Sequence, residues 1–168
     1  MSQQKNIAIV IMGVSGVGKS TIGALLSNAT GIPFFDGDDF HSQANIAKMA
    51  AGKPLNDTDR QGWLERLHQL IQAQLLVKGC IIACSALKNN YRNVLSNGLD
   101  NLVQYVYLQG SYEELLQRLQ QRKGHFMQAS LLQSQFETLE VPTDALVVSI
   151  TKTPETIVAE IIASGIVT

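Results

Sequence analysis

The sequence lacks a strong excess of charge of either sign, and it also lacks any long hydrophobic run. Its 168 residues carry a formal net charge of −1. This balance excludes the global basic field that attracts nucleic acid or an anionic membrane. No apolar stretch reaches the roughly 18 residues that a membrane-spanning helix needs. We therefore expect no nucleic-acid partner, no membrane partner and a cytoplasmic location.

Cysteine is also scarce, which excludes a disulfide scaffold. The only two cysteines, Cys80 and Cys84, lie in the apolar run GCIIACSA. A C-x-x-x-C pair without further Cys or His ligands is weak evidence for a metal site. On a strand, positions four apart face the same side, so we interpret both as buried small hydrophobic residues.

What the sequence does contain is enough apolar material for a well-packed core. Hydrophobic residues make up 45% and charged residues 16% of the chain. These proportions are typical of a globular protein and not of a disordered or fibrous one. The length favours a single domain over residues 1–168.

Five apolar runs alternate with amphipathic segments along the chain. The runs predict strands at residues 7–12, 33–35, 80–84, 102–108 and 145–150. Helical signals between them include a stop at Gly31, an N-cap at Asp57, a capping box from Ser111 to Glu114 and a cap at Thr153 before Pro154. We therefore expect an α/β fold of three layers, with a five-stranded parallel sheet between helices.

The stretch GVSGVGKS, residues 13–20, matches the phosphate-binding pattern G-x-x-x-x-G-K-[ST]. It has the required context, because an apolar strand precedes it and an amphipathic helix follows. Glycines let the backbone N–H groups turn toward phosphate oxygens, Lys19 reaches the terminal phosphates, and the Ser20 hydroxyl binds Mg²⁺. The predicted nucleotide contacts are Gly13, Val14, Ser15, Gly16, Val17, Gly18, Lys19, Ser20 and Thr21, with Lys19 also catalytic.

Acidic residues follow the second predicted strand and not the third. Asp36 and Asp38 are two positions apart in extended chain, so their side chains share a face at the end of the strand that adjoins the phosphate loop. One carboxylate can hold the metal and its water shell, and the other can accept a proton from a substrate hydroxyl. An Asp-Gly turn followed by a helix cap would give the same composition.

Two nucleotide-binding classes fit the sequence poorly. A regulatory GTPase needs an Asn-Lys-x-Asp motif after a late strand, and this chain has none. A motor or transporter ATPase normally has an acid after the third strand, where this chain has Ser85-Ala86. The small size and the D-x-D pair favour phosphoryl transfer to a small acceptor.

Basic and polar side chains follow in the segments expected to face that acceptor. Together they suggest an anionic or strongly hydroxylated molecule, although each could be a solvated surface charge. Arginine suits a carboxylate because its guanidinium binds both oxygens in one plane, which favours a sugar acid. The candidates are His41, Lys48, Lys53, Arg60, Lys88 and Arg92.

A basic stretch, RLQQRKGHFM, interrupts the regular alternation of strands and helices before the last strand. We interpret the insertion at about residues 122–140 as a helical lid, of the kind that closes over reacting phosphates and excludes water.

Four ordered blocks of the sequence closely resemble bacterial gluconokinases. They are GVSGVGKS, GDDFHSQANIAKMAAGKPLNDTDRQGWL, CSALKNNYRNVL and RKGHFMQASLLQSQFETLEVP, and they extend over about residues 7–150. The resemblance implies a P-loop fold related to shikimate and adenylate kinases, Mg²⁺ and ATP as cofactors, and gluconate as the acceptor that becomes 6-phosphogluconate. It also implies a homodimer.

The resemblance further assigns roles to single residues. It places Asp36 with Ser20 near the metal, and Asp38 as the catalytic residue that holds the acceptor hydroxyl and could deprotonate it. It places Arg118 against the adenine and Arg122 at the β- and γ-phosphates as a catalytic residue. The expected substrate-binding residues are Asp38, His41, Arg60, Lys88 and Arg92, whereas His125 in the lid receives no role.

Two other interpretations stay open on the sequence alone. One is a kinase of the same fold that acts on another small hydroxylated acid, such as shikimate or a different aldonate. The other, from a different class, is an ATP-binding regulatory protein without catalytic turnover.

Overall fold

The protein is described here by a computed structural model that covers residues 5–121 and 129–167. Its centre is a five-stranded sheet in the order β2-β3-β1-β4-β5, with every neighbouring pair parallel. The strands are β1 Ala8–Met12, β2 Phe34–Asp36, β3 Cys80–Ala83, β4 Val103–Gln109 and β5 Leu146–Ser149. The predicted five-stranded parallel sheet is therefore confirmed.

Seven α-helices lie within the described ranges. They are α1 Lys19–Thr30, α2 Gln43–Ala50, α3 Asp57–Leu75, α4 Asn89–Ser96, α5 Tyr112–Gln121, α6 Ala129–Thr138 and α7 Pro154–Ala163. A short 3₁₀ turn, Gly37–Phe40, joins β2 to the segment before α2.

The helices cover both faces of the sheet. Helix α1 packs against α7, and α3 packs against α4 and also contacts β1 and β3. Crossovers between parallel strands are right-handed, so helices that connect strands in opposite directions along the sheet lie on opposite faces. Helix α1 leads from β1 to β2 at one edge, whereas α3 and α4 lead back through β3 to β4. The three-layer α/β/α architecture follows.

The central strands are buried on both faces, as their continuous apolar sequences predict. All five residues of β1 are fully buried, and so are Cys80 and Ile81 of β3. Cys80 and Cys84 are free buried thiols, and burial raises the pKa of each to about 12. The prediction that both act as small hydrophobic residues is confirmed.

The predicted N-cap of the long helix α3 was wrong by one residue. Asn56, and not Asp57, caps the helix: its side chain accepts from the backbone N–H of Asp59 at 2.8 Å. The Asp59 carboxylate accepts in return from the Asn56 N–H at 2.9 Å, which completes a capping box. Asp57 could not form this box, because the residue three positions after it is Arg60, which has no acceptor atom.

Other helix ends agree with the sequence. The capping box of Ser111 and Glu114 is present through two reciprocal hydrogen bonds, and Thr153 caps α7 with Pro154 at its start. Within the described residues, no helix is both long and apolar enough to span a membrane.

Candidate active site

The phosphate loop connects β1 to α1 at the carboxyl edge of the sheet. Three of its glycines have positive φ, at 147° for Gly13, 89° for Gly16 and 96° for Gly18. A Cβ on Gly13 would lie 2.8 Å from the carbonyl oxygen of Leu108, so only glycine fits there. Helix α1 starts at Lys19, and its N-terminal end adds a positive dipole to the loop.

Lys19 folds back over the loop that precedes it. Its Nζ atom donates to the carbonyl oxygens of Gly13 and Val14, each at 3.0 Å. Burial lowers the pKa of Lys19, while the nearby Asp38 carboxylate opposes that shift. The ammonium group is thus fixed at the loop, where a phosphate oxygen could replace the carbonyl contacts.

The two predicted acids lie beside the loop at the end of β2. The Ser20 hydroxyl donates to Oδ2 of Asp36 at 2.6 Å, and the other Asp36 oxygen, Oδ1, accepts from the backbone N–H of Asp38 at 3.0 Å. Asp36 therefore connects the start of α1 to the turn that carries Asp38.

The turn between these acids is held from both sides. A Cβ on Gly37 would lie 2.4 Å from the carbonyl oxygen of Ala83 in the neighbouring strand, so the turn requires glycine. On the other side, Nε1 of the buried Trp63 donates to the Gly37 carbonyl oxygen at 2.7 Å. Helix α3 and strand β3 together hold the backbone of the turn that carries Asp38.

The Asp38 carboxylate projects into an open cleft. Its side chain is 83% exposed to solvent, although the walls of the cleft surround it. Burial within these walls raises the pKa of Asp38, and repulsion from Asp36 adds to the shift. The exposure leaves the carboxylate accessible to a ligand.

His41 is packed against Trp63 and is neutral at physiological pH. The two rings stack with centroids 4.1 Å apart, and the His41 side chain is only 4% exposed. Burial lowers the pKa of His41 to about 4, with positive charge on Arg60 contributing. The amide nitrogen of Asn45 lies 3.3 Å from Nδ1, so we assign the ring hydrogen to Nε2, which lies 3.9 Å from Asp38 Oδ1.

Arg60 is oriented by contacts with two segments. Its Nη1 atom donates to the Leu55 carbonyl oxygen at 2.5 Å and to the Tyr91 hydroxyl at 3.1 Å. The guanidinium carbon also lies 5.2 Å from the centre of the Tyr91 ring. Tyr91 in turn donates to Asp57 at 2.5 Å. This network joins the start of α3 to α4 and holds the Arg60 head group.

A single cavity brings the loop and the acceptor-side residues together. Ser15 and Lys19 line it from the phosphate loop, and Asp38, His41 and Arg60 line it from the opposite side. The remaining wall includes Met49, Pro54, Leu55, Trp63, Ser85, Leu87, Leu131, Ser134 and Gln135. The arrangement can place a polar molecule between a phosphate-binding loop, a carboxylate and a guanidinium.

Comparison with known proteins identifies the family of the chain. The family model named Shikimate kinase matches residues 15–164. The thermoresistant gluconokinase of Escherichia coli K12 is 45% identical over 93% of each chain. The chain belongs to the gluconokinase family. The crystal structure of a gluconokinase from Sinorhizobium meliloti 1021 is 39% identical and superposes with a TM-score of 0.86, covering 96% of this chain and 92% of that one.

More distant kinases share the fold alone. The shikimate kinase of Aquifex aeolicus is 22% identical and superposes with a TM-score of 0.67 over 94% of this chain and 95% of that one. The expected fold and the expected family are thus confirmed, and the protein is a kinase with a nucleotide-binding loop.

Four of the predicted acceptor-side candidates do not line the cavity: Lys48, Lys53, Lys88 and Arg92, of which the last two are engaged elsewhere. Lys88 Nζ lies 3.1 Å from Asp57 Oδ1, and that hydrogen bond raises the pKa of Lys88. Arg92 is 6% exposed, and its guanidinium donates to the carbonyl oxygens of Ala86 and Glu140 and to the Asn89 side chain. Both residues tie segments of the fold together.

Arg118 lies on the other side of the phosphate loop. Its guanidinium donates to the carbonyl oxygens of Gly16 at 3.1 Å and Ile150 at 2.9 Å. A separate cleft there is lined by Val17, Gly18, Thr21, Ile22, Arg118, Ile150, Lys152, Pro154 and Ile157. The position suits the predicted adenine contact, since the cleft adjoins the loop away from the acceptor cavity.

The other predicted lid residues, Arg122 and His125, lie outside the described residues. The role of Arg122 at the phosphates, and a lid at about residues 122–140, stay predictions. Helix α6, in the second half of that segment, is described: it packs against α5, and its Leu132 is fully buried.

The residues near the loop fit a magnesium ion bound mainly through phosphate. Ser20 and Asp36 supply one hydroxyl and one carboxylate within hydrogen-bonding distance of each other. Over the described ranges, no group of three or more His, Cys, Asp or Glu side chains could hold a metal ion. Mg²⁺ suits such a site, because it commonly takes one or two protein oxygens together with substrate phosphates and water.

Several residues of the site are not predicted by the sequence patterns. The sequence patterns assign no role in the site to Trp63, Tyr91 or Gln135. Their contacts join positions 26, 31 and 120 residues apart, so no local spacing indicates them. The signal available was their presence in the blocks that resemble gluconokinases.

Proposed function

We propose that this protein transfers the γ-phosphoryl group of ATP to D-gluconate, giving 6-phospho-D-gluconate and ADP. The observation that carries the proposal is the single cavity lined by Ser15 and Lys19 of the phosphate loop and by Asp38, His41 and Arg60 opposite them. Family membership over more than nine-tenths of the chain supports the same activity.

The donor half of the site is the loop with the first turn of α1. The backbone N–H groups of the loop other than that of Ser15, which is bound to Gln135, would bind the phosphates together with the Lys19 ammonium, which is the function of such loops generally. Ser20 and Asp36 would hold Mg²⁺, which neutralises phosphate charge when it is bound. Arg118 would contact the adenine at its cleft.

In the acceptor half, Asp38 would accept a hydrogen bond from the hydroxyl that attacks phosphorus. Phosphoryl transfer has a loose transition state, so positioning by Asp38 contributes more than strong basicity. The raised pKa still permits Asp38 to take the proton as the new P–O bond forms. Lys19 stabilises the negative charge on the transferred group.

The rest of the cavity suits a hydroxylated carboxylic acid. Arg60 provides the one guanidinium among the described residues that line it, and a guanidinium binds a carboxylate well. His41 is neutral and carries hydrogen on Nε2, so it can donate to a hydroxyl without adding charge. Lys88 and Arg92 are engaged elsewhere, so we assign acceptor binding to Asp38, His41 and Arg60.

Two further properties are inferred from the sequence, the first from the resemblance to gluconokinases and the second from the lack of a long apolar run. We infer a homodimer and a cytoplasmic location, in keeping with the sequence. Light scattering coupled to size-exclusion chromatography tests the dimer.

The experiment for the activity follows the product directly. Purified protein is incubated with ATP, Mg²⁺ and gluconate, and ³¹P NMR identifies the phosphorylated position. We expect ADP and 6-phosphogluconate in equal amounts, with loss of both in Lys19→Ala. Absence of both ADP and a phosphorylated acid would refute the proposal and favour the regulatory alternative, whereas ADP release that does not depend on an acceptor would refute both.

A further inference from the structure

Helix α6 places a neutral side chain where the donor loop meets the acceptor cavity. The Oε1 atom of Gln135 accepts a hydrogen bond from the backbone N–H of Ser15 at 2.6 Å. Gln135 and its neighbour Ser134 both line the cavity that contains Asp38 and Arg60. The contact joins residues 120 positions apart, and it brings α6 to the phosphate loop.

The hydrogen bond fixes which way the amide faces. The Ser15 N–H can only donate, so the oxygen of the Gln135 carboxamide must face it, and the NH₂ group lies at the other end. Within residues 5–121 and 129–167, that NH₂ group has no hydrogen-bond partner. Gln135 is half-buried, so the group remains accessible from the cavity.

Neighbouring positions on α6 differ in their surroundings. Leu132 is fully buried against the core, whereas Gln133 is exposed and donates to Glu137 at 3.2 Å along the helix surface. The cavity is therefore reached by Leu131, Ser134 and Gln135 and not by the outer residues of the helix.

We propose that Gln135 is a specificity-determining residue for the acceptor: its NH₂ group donates to one acceptor hydroxyl while its oxygen stays bound to the Ser15 N–H. An amide suits this task, because it donates to a hydroxyl oxygen without adding charge to a cavity that already holds Lys19, Asp38 and Arg60. The inference rests on the proposed transfer to a hydroxylated acid and names a group that selects the acid.

The test compares Gln135→Met with wild type, and Gln133→Met serves as the matched control on the same helix. Methionine keeps the length of the side chain and removes the amide. With saturating ATP, we expect the gluconate KM of Gln135→Met to rise about tenfold, the effect of one lost hydrogen bond. Gln133→Met should retain the wild-type KM.

A series of acceptors that each lack one hydroxyl identifies the hydroxyl that the Gln135 NH₂ group contacts. For the acceptor that lacks this hydroxyl, wild type and Gln135→Met should have the same KM, because the partner of Gln135 is already absent. Gln135→Ala repeats the comparison if the methionine variant unfolds early in a thermal melt.

An unchanged KM for every acceptor would overturn the inference. So would a change confined to ATP binding, measured by calorimetry without acceptor, since Gln135 would then only occupy a phosphate position in the unliganded loop. If wild type prefers another acid, the proposed function fails, and the same comparison on that acid still tests Gln135.

Discussion

The indole N–H of Trp63 donates a 2.7 Å hydrogen bond to the carbonyl oxygen of Gly37, midway between Asp36 and Asp38. Trp63 is 2% exposed and also stacks on His41. One side chain of α3 thus supports the turn between Asp36 and Asp38 and also packs against His41. The geometry of the site depends on a residue that lies outside the phosphate loop.

Replacing Trp63 should lower the stability and the activity of the protein together. Trp63→Phe leaves the Gly37 carbonyl oxygen without its partner and reduces packing against His41, so we expect unfolding free energy to fall by about 1–3 kcal/mol. At a temperature where the variant is folded, kcat should also fall. Tyr105→Phe removes another inward-facing hydroxyl, which bonds to Ser96 and the Arg92 carbonyl oxygen. Tyr105→Phe should lose stability but keep its kcat. A normal kcat in Trp63→Phe would show that Trp63 does not support the site.

Asp38 should determine the acid side of the pH–rate profile. Its pKa is raised above the ordinary 3.8, so protonation begins at a higher pH than for a free carboxyl, and kcat/KM should fall as the pH drops through that raised value. Asp38→Asn should lower kcat about 10- to 100-fold and flatten this acid limb. Because the side chain is 83% exposed, the variant should keep its thermal stability. An unchanged kcat with gluconate would remove Asp38 from the mechanism.

The magnesium requirement should depend on Ser20 and Asp36. Ser20→Ala removes one predicted ligand and its hydrogen bond to Asp36, so the Mg²⁺ concentration for half-maximal rate should rise about tenfold. A titration with Mg²⁺ at fixed ATP measures this shift. Asp39→Asn changes an exposed acid in the same turn and serves as the control. Equal Mg²⁺ curves for Ser20→Ala and wild type would place the metal elsewhere.

Arg60 should act through the shape of its guanidinium as well as its charge. Arg60→Lys keeps the positive charge but loses the planar donors that contact Leu55 and Tyr91, so the gluconate KM should rise about tenfold while the KM for ATP stays constant. Arg66→Lys changes an exposed arginine of the same helix that donates to the Phe40 carbonyl oxygen and does not line the cavity, so both constants should stay unchanged. Steady-state kinetics with each substrate varied in turn separates these effects, and an increase in the ATP KM alone would argue against an acceptor contact.

The parts of the site that the sequence predicts are those built from adjacent residues. The phosphate loop needs glycines, Lys19 and Ser20 in one continuous stretch, and the acids need only the end of a strand. Their relative position follows from the sheet, because parallel strands end at the same edge. The sequence therefore predicts that Ser20 and Asp36 lie close together, and the two side chains form a hydrogen bond.

The acceptor side was harder to predict because its geometry depends on distant contacts. Arg60 and Arg92 are both arginines in family-like blocks, yet Tyr91 holds one beside the cavity and the Glu140 carbonyl oxygen holds the other in the interior. Composition cannot distinguish these two environments. The same limit applies to helix α4, for which the sequence analysis gives no helical signal: NNYRNVLS consists mostly of weak helix formers, and the helix depends on packing against α3.

We expect the cavity to select gluconate as the phosphoryl acceptor. The direct measurement is kcat/KM for a panel of acids, including gluconate, other aldonates and shikimate, in a coupled ADP-release assay with Mg²⁺ and ATP. We predict that gluconate exceeds shikimate by at least about a hundredfold, as a pocket built to pair specific hydroxyls would require. A higher kcat/KM for shikimate or another acid, or no acceptor-dependent release of ADP, would show that gluconate is not the selected acceptor.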